Sequence, residues 1–183
     1  ESDGENKTVR IADPEASIDV GALGKGYATE MAARMLEEQN AQGYVLNIGG
    51  NIRIIGSRPD GTGWKTGIRN PADPDGAFAM QIYIADTACV SSGVYERFFV
   101  AEGKRWHHII DPDTFYPAAY YTALTVITKD SGLADALSTA LFCMDYEQSR
   151  GLVDSLDGVE ACWFFADGEY RETDGFAKLI VEK

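Results

Sequence analysis

The chain has only two histidines, and they are adjacent, His107 and His108. They lie in the stretch Arg105-Trp-His-His-Ile-Ile-Asp-Pro-Asp-Thr-Phe-Tyr-Pro117. A histidine near neutral pH can accept a proton or attack as a nucleophile. Neighbours on a strand point to opposite faces, so these two cannot share one task. Taken alone, the pair reads as one core histidine and one solvated one. A second group with chemistry to offer is Asp135 with Thr139, four residues apart and therefore on one face of a helix. An acid on so apolar a helix needs a partner, and a cation, a helix cap or an arginine would each serve. A third is the run Ser17 to Glu30, where Gly21, Gly24 and Gly26 surround Lys25 at the start of a helix. Glycines there let backbone approach a ligand, and the first helical N–H groups favour anions. The run is neither a Walker A loop nor a dinucleotide fingerprint.

The elements that must position these groups follow from periodicity and punctuation. Glu1 to Thr8 is polar and expected to fray, and Val9–Ile11 could form a short strand. A helix is expected through about Gln39, with Tyr27, Met31, Met35 and Leu36 roughly on one face. Tyr44 to Ile48 and Ile52 to Ile55 read as strands joined at Gly49-Gly50-Asn51 by a hairpin or bulge. Further strands are expected at Trp64–Ile68, Ala77–Asp86, Val94–Val100 and Thr122–Thr128. Glu102-Gly103 is the turn into the histidine stretch, and Asp111-Pro-Asp-Thr114 is a turn beyond it. Asp130 to Met144 reads as a buried helix capped by Asp130 or Ser131, followed by a shorter helix at Tyr146–Ser155. Closing strands are expected at Val159–Phe165, Glu169–Thr173 and Phe176–Val181. Runs of antiparallel-type strands with two long helices favour an α+β fold over alternating βαβ units.

Composition narrows the function classes. At 183 residues, 45% apolar and 11% aromatic, the chain can fill the core of one domain. The formal charge of −13 argues against nucleic-acid or anionic-membrane surfaces. It suits recruitment of divalent cations, although solubility is the commoner reason for acidity. Cys89, Cys143 and Cys162 form no Cys-x-x-Cys pair and read as buried thiols. No apolar run reaches the ~20 residues of a membrane helix. The start at Glu1, without Met or signal peptide, reads as a processed or trimmed product.

Together these stretches resemble the FAD:protein FMN transferases, the ApbE-like flavin transferases. Ile18-Asp-Val-Gly-Ala-Leu-Gly-Lys-Gly-Tyr-Ala28 looks like the family's Asp-Leu-Gly-x-x-x-Lys-Gly-Tyr segment, and Tyr44 to Ile52 like its Gly-Gly-Asn hairpin. Ser91-Ser-Gly-Val-Tyr-Glu-Arg-Phe98 looks like its Thr-Ser-Gly strand. His108-Ile-Ile-Asp-Pro-Asp-Thr114 looks like its His-Ile-Ile-Asp-Pro-x-Thr-Gly segment, and Asp130 to Leu141 like its Ala-Asp-Ala-x-x-Thr-Ala helix. Each piece is modest; their order makes the resemblance specific.

The resemblance implies a T-fold-like α+β domain over residues 1–183, an antiparallel sheet with two main helices packed on one side, and a reaction that splits FAD at its pyrophosphate. FMN would pass to a Thr of a target flavoprotein, with AMP released and Mg²⁺ required. Carried over by motif, His108 would be catalytic, as base or nucleophile, and His107 structural or solvated. Asp19, Lys25 and Ile109 would contact the flavin nucleotide. The Ala22 carbonyl and the side chains of Asp135 and Thr139 would hold Mg²⁺, with Ser138 near enough to help. Alternatives are an FAD pyrophosphatase yielding FMN and AMP, or a flavin-binding module without turnover. The family also implies a cell-envelope or periplasmic location. Two departures stand out. Phe115 occupies the place of the motif glycine, so the turn is expected to differ. The N-terminal half that family members usually carry, with a Met-Gly-Thr strand and part of the adenine pocket, has no match here.

Overall fold

The computed structural model describes residues 2–3 and 8–182. Most of the stretch expected to fray, residues 1 and 4–7, lies outside them; Ser2–Asp3 (β1) pairs with Thr8–Val9 (β2) as a small ribbon. The chain continues through α1 (Gly24–Glu38), β3 (Tyr44–Ile48), β4 (Asn51–Ile55), β5 (Trp64–Arg69), β6 (Phe78–Ile84) and β7 (Ala88–Gly93). Next come β8 (Phe98–Ala101), β9 (Lys104–His107), β10 (Ala123–Thr128), α2 (Ser131–Phe142) and α3 (Tyr146–Asp154). It closes with β11 (Glu160–Phe164), β12 (Tyr170–Glu172), α4 (Asp174–Ala177) and β13 (Ile180–Glu182).

The fold is α+β. A six-stranded antiparallel sheet runs in the order β12-β11-β10-β7-β4-β3, beside a three-stranded sheet β13-β6-β5 and a ribbon β8-β9. Alternation along β10 and β11 explains the layering. Leu124, Val126, Ala161 and Trp163 join Leu137, Leu141 and Phe142 of α2 and Val153 of α3 in one core. Ala123, Ile127, Cys162 and Phe164 point the other way and pack with Ile68, Met80, Ile82 and Ile84 of the small sheet. Gly49 and Gly50 both have positive φ, +59° and +94°, as a two-residue type I′ hairpin requires between β3 and β4.

Three expectations differ from what is observed. The strand expected at Val94–Val100 starts only at Phe98, and residues 94–97 form a turn. On α1 the packed face is Gly26, Thr29, Glu30 and Ala33, whereas Tyr27 and Met35 are exposed. Polar pairing and close approach override the apolar stripe. Glu30 accepts from the Ser131 N–H at 2.9 Å and pairs with buried Arg53 of β4 at 3.2 Å. Phe176 and Ala177, expected to open a closing strand, lie in a helical turn, Asp174–Ala177, capped by the Thr173 side chain, which accepts from the Phe176 N–H.

Gly26 is where α1 meets α2 most closely. A Cβ there would lie 2.3 Å from the Ser131 carbonyl oxygen and 2.4 Å from Asp135 Cβ. Gly26→Ala is therefore expected to push the helices apart at a cost of about 1–3 kcal/mol. A thermal unfolding midpoint equal to wild type would show that the helices accommodate the methyl group.

Candidate active site

The turn before α1, the Asp135–Thr139 face of α2, the β3–β4 hairpin, β5 and the end of β9 converge on one cleft of about 1070 Å³. That is at the top of the range for ligand pockets, roughly 300–1,000 Å³. Asp19, Ala22, Lys25, His108, Ile109, Asp135 and Thr139 all line it. The structure thus brings every sequence-predicted site residue into one place.

The turn before α1 is built around Asp19, whose Oδ1 accepts from the Gly21 N–H at 2.6 Å. Helix α1 then begins without a capping side chain of its own. Asp135, 5% exposed on α2, supplies one across the helix pair: its Oδ2 accepts from the Gly26 N–H at 2.8 Å. In a continuous helix that N–H would bond to the carbonyl of Ala22. The Ala22 carbonyl has no hydrogen-bond partner among the described residues, nor do Asp135 Oδ1 or the Thr139 hydroxyl. Three unpartnered oxygens of different type therefore border one cleft. Ser138 is committed elsewhere: its Oγ donates to the Asp135 carbonyl and contacts Ser92 Oγ, each at 2.9 Å.

This oxygen set fits a hard divalent cation that keeps several waters, as Mg²⁺ does. It contains a single carboxylate, and among the described residues no cluster of three or more His, Cys, Asp or Glu side chains forms a metal cage. Lys25 Nζ reaches the Gly49 carbonyl at 3.3 Å, bringing its charge to the hairpin turn.

The two histidines separate: His107 ends β9 and His108 lies just past it. His107 is buried, and its Nε2 can only donate to the Ala118 carbonyl at 2.9 Å. Its Nδ1 accepts from the Ile109 N–H at 3.3 Å, so the ring is the neutral Nε2–H tautomer with both nitrogens used. Burial lowers its pKa. His108 is exposed and donates from Nδ1 to the Arg97 carbonyl at 3.2 Å, which leaves the Nε2 lone pair for chemistry. Cys89 also lines the cleft, but burial pushes its thiol up to about 12, so it is no thiolate nucleophile.

The lining is more basic than the chain. Lys25, Lys65, Arg69 and Arg97 stand against Asp19, Glu96 and Asp135 there, whereas the whole sequence has 16 bases and 29 acids. Such a wall suits an anionic ligand. Lys65, Arg69, Arg97 and Trp64 were not foreseen as site residues. They arrive from β5 and the β7–β8 turn, whose pairing partners no local pattern reveals.

Phe115 keeps the turn that a glycine would make. Its φ is +61°, its N–H donates to the Asp111 carbonyl at 2.8 Å, and its side chain is 80% exposed. Phe115 thus adopts the positive φ that a residue with Cβ resists. Left-handed φ costs a residue with Cβ about 1–2 kcal/mol, and glycine's extra chain entropy returns about 0.5–1. Phe115→Gly should therefore raise stability by roughly 0.5–1 kcal/mol and leave any turnover unchanged. A loss of stability in a denaturant titration would show that the aromatic ring has a packing role.

Comparison with known proteins identifies relatives of this chain. The model of the ApbE family matches residues 2–163. The chain is similar to a protein named FAD:protein FMN transferase from Treponema pallidum (strain Nichols), 33% identical over 182 residues, covering 94% of this chain and 50% of that protein. A protein of the same name from Haemophilus influenzae is 35% identical over 147 residues, 79% of this chain and 42% of its own length. Among solved structures, the ApbE protein from Thermotoga maritima superposes with a TM-score of 0.85 at 34% identity, over 99% of this chain and 59% of that one. The flavin transferase ApbE from Vibrio cholerae gives a TM-score of 0.73 at 27% identity, over 91% and 53%. The chain thus spans about half the length of the curated relatives it matches.

Proposed function

The chain belongs to the ApbE family, and on that premise we propose that its cleft binds FAD, cleaves the pyrophosphate and transfers FMN to a Thr hydroxyl of a target flavoprotein, releasing AMP. The observation that carries this reading is the set of unpartnered oxygens on Ala22, Asp135 and Thr139 beside an exposed histidine in one basic-lined cleft.

These oxygens would hold Mg²⁺, which when bound neutralises pyrophosphate charge and makes phosphorus easier to attack. The remaining steps belong to the chain itself. Lys25, on the cleft wall at the start of α1, attracts the phosphates. Asp19 and Ile109 border the nucleotide. His108, held through Nδ1–H by the Arg97 carbonyl, presents Nε2 as general base. The acceptor hydroxyl gives its proton to Nε2 as its oxygen bonds to the FMN phosphorus. The P–O bond to the AMP phosphate breaks, and AMP leaves with the electron pair. No group is oxidised or reduced.

The test is to incubate the chain with FAD and Mg²⁺ in the presence of an acceptor flavoprotein domain, then to resolve the products. Flavin fluorescence on the denatured acceptor, with AMP in equal amount, is the expected result. AMP with only free FMN would replace the transferase by a pyrophosphatase using water.

A further inference from the structure

Arg97 lies in the turn between β7 and β8 and is one of the residues that line the cleft. Its carbonyl accepts twice from one residue, the His108 N–H at 3.2 Å and the His108 Nδ1–H at 3.2 Å. The backbone of Arg97 and the imidazole of His108 are therefore held together at the base of the β8–β9 ribbon. The other cations of the lining are engaged. Arg69 pairs with Glu96 at 2.9 Å and lies over the Tyr95 ring. Lys25 donates to the Gly49 carbonyl, and Lys65 also has a partner. The Arg97 guanidinium has neither ion pair nor hydrogen bond among the described residues.

In a chain of charge −13, a guanidinium without an ion pair, on a cleft-lining residue whose carbonyl holds an exposed histidine, is available to an anion from outside. Its planar fork of N–H donors matches two oxygens of one phosphoryl group, a geometry an ammonium cannot reproduce. We propose that Arg97 grips the phosphoryl group being transferred, donating to its non-bridging oxygens next to Nε2 of His108. The proposal rests on the reading of this cleft as an FAD site and adds the residue that holds the reacting phosphorus. As the acceptor oxygen bonds to that phosphorus and the bond to AMP breaks, the guanidinium stays on the same non-bridging oxygens. The proton still goes to His108 and the electron pair to AMP.

The experiment measures FAD binding by flavin fluorescence for wild type, Arg97→Ala, Arg97→Lys and Lys104→Ala, with AMP release recorded in parallel. Lys104 is an exposed cation of the same ribbon outside the cleft lining, so its loss controls for net charge. Arg97→Ala should weaken FAD binding by about 10- to 100-fold, as expected for loss of hydrogen bonds to a charged group. Arg97→Lys should fall between, and Lys104→Ala should match wild type. Wild-type affinity in both Arg97 variants, or an equal loss in Lys104→Ala, would overturn the proposal. Should Arg97→Ala fail to fold, Arg97→Lys decides on its own. Selective loss of affinity in a protein that releases no AMP would uphold the grip and reject the transfer reading. Normal affinity in the variants alongside normal AMP release would do the reverse. Absence of FAD binding by wild type would overturn both.

Discussion

His108→Ala should lower AMP release from FAD by about 10²- to 10⁴-fold, the range a positioned general base contributes, with the unfolding midpoint unchanged. The ring is exposed and anchored by one bond to the Arg97 carbonyl, so its removal leaves little unsatisfied. His107→Ala should behave in the opposite way. It deletes a buried ring that bonds to the Ala118 carbonyl and the Ile109 N–H and meets Phe142 edge-on at 5.9 Å. Losing the packing and leaving both backbone groups unpaired should cost about 2–4 kcal/mol. The fraction that folds should turn over normally. The sign of its pH effect follows from its lowered pKa. Below about 6.5 the unfolded chain takes a proton that the folded chain resists, so the His107 contribution is present above that pH and is lost as pH falls towards the folded value. Equal activity losses in the two alanine variants would reject the assignment of His108.

Asp135→Asn isolates the cation role from the structural one. The amide oxygen can still accept from the Gly26 N–H, so the α1–α2 junction should survive. The negative charge beside the Ala22 carbonyl and the Thr139 hydroxyl is lost. Turnover at fixed Mg²⁺ should drop at least about 100-fold, the upper end of what even outer-shell losses cost a metal site. Half-saturation should shift to higher Mg²⁺. An unchanged Mg²⁺ titration would remove Asp135 from the ligand set.

What was legible in the sequence were residues whose chemistry is tied to local spacing. Asp135 and Thr139 share a helical face, His107 at the end of β9 is buried while His108 just beyond it is exposed, and paired glycines make a hairpin turn. Positions set by non-local pairing were not legible. Arg97 meets His108 through the ribbon register Phe98↔His107, and Arg69 enters the cleft because β5 pairs with β6 in a separate small sheet. The packed face of α1 was hidden because a buried Glu30–Arg53 pair and a glycine contact, not an apolar stripe, hold that helix.

The most direct test of the central claim is AMP release on mixing this chain with FAD and Mg²⁺. AMP that appears with wild type, and disappears with chelator and with His108→Ala, is the predicted result. FAD that remains intact under saturating Mg²⁺ and with an acceptor present, while the protein is folded, would contradict it.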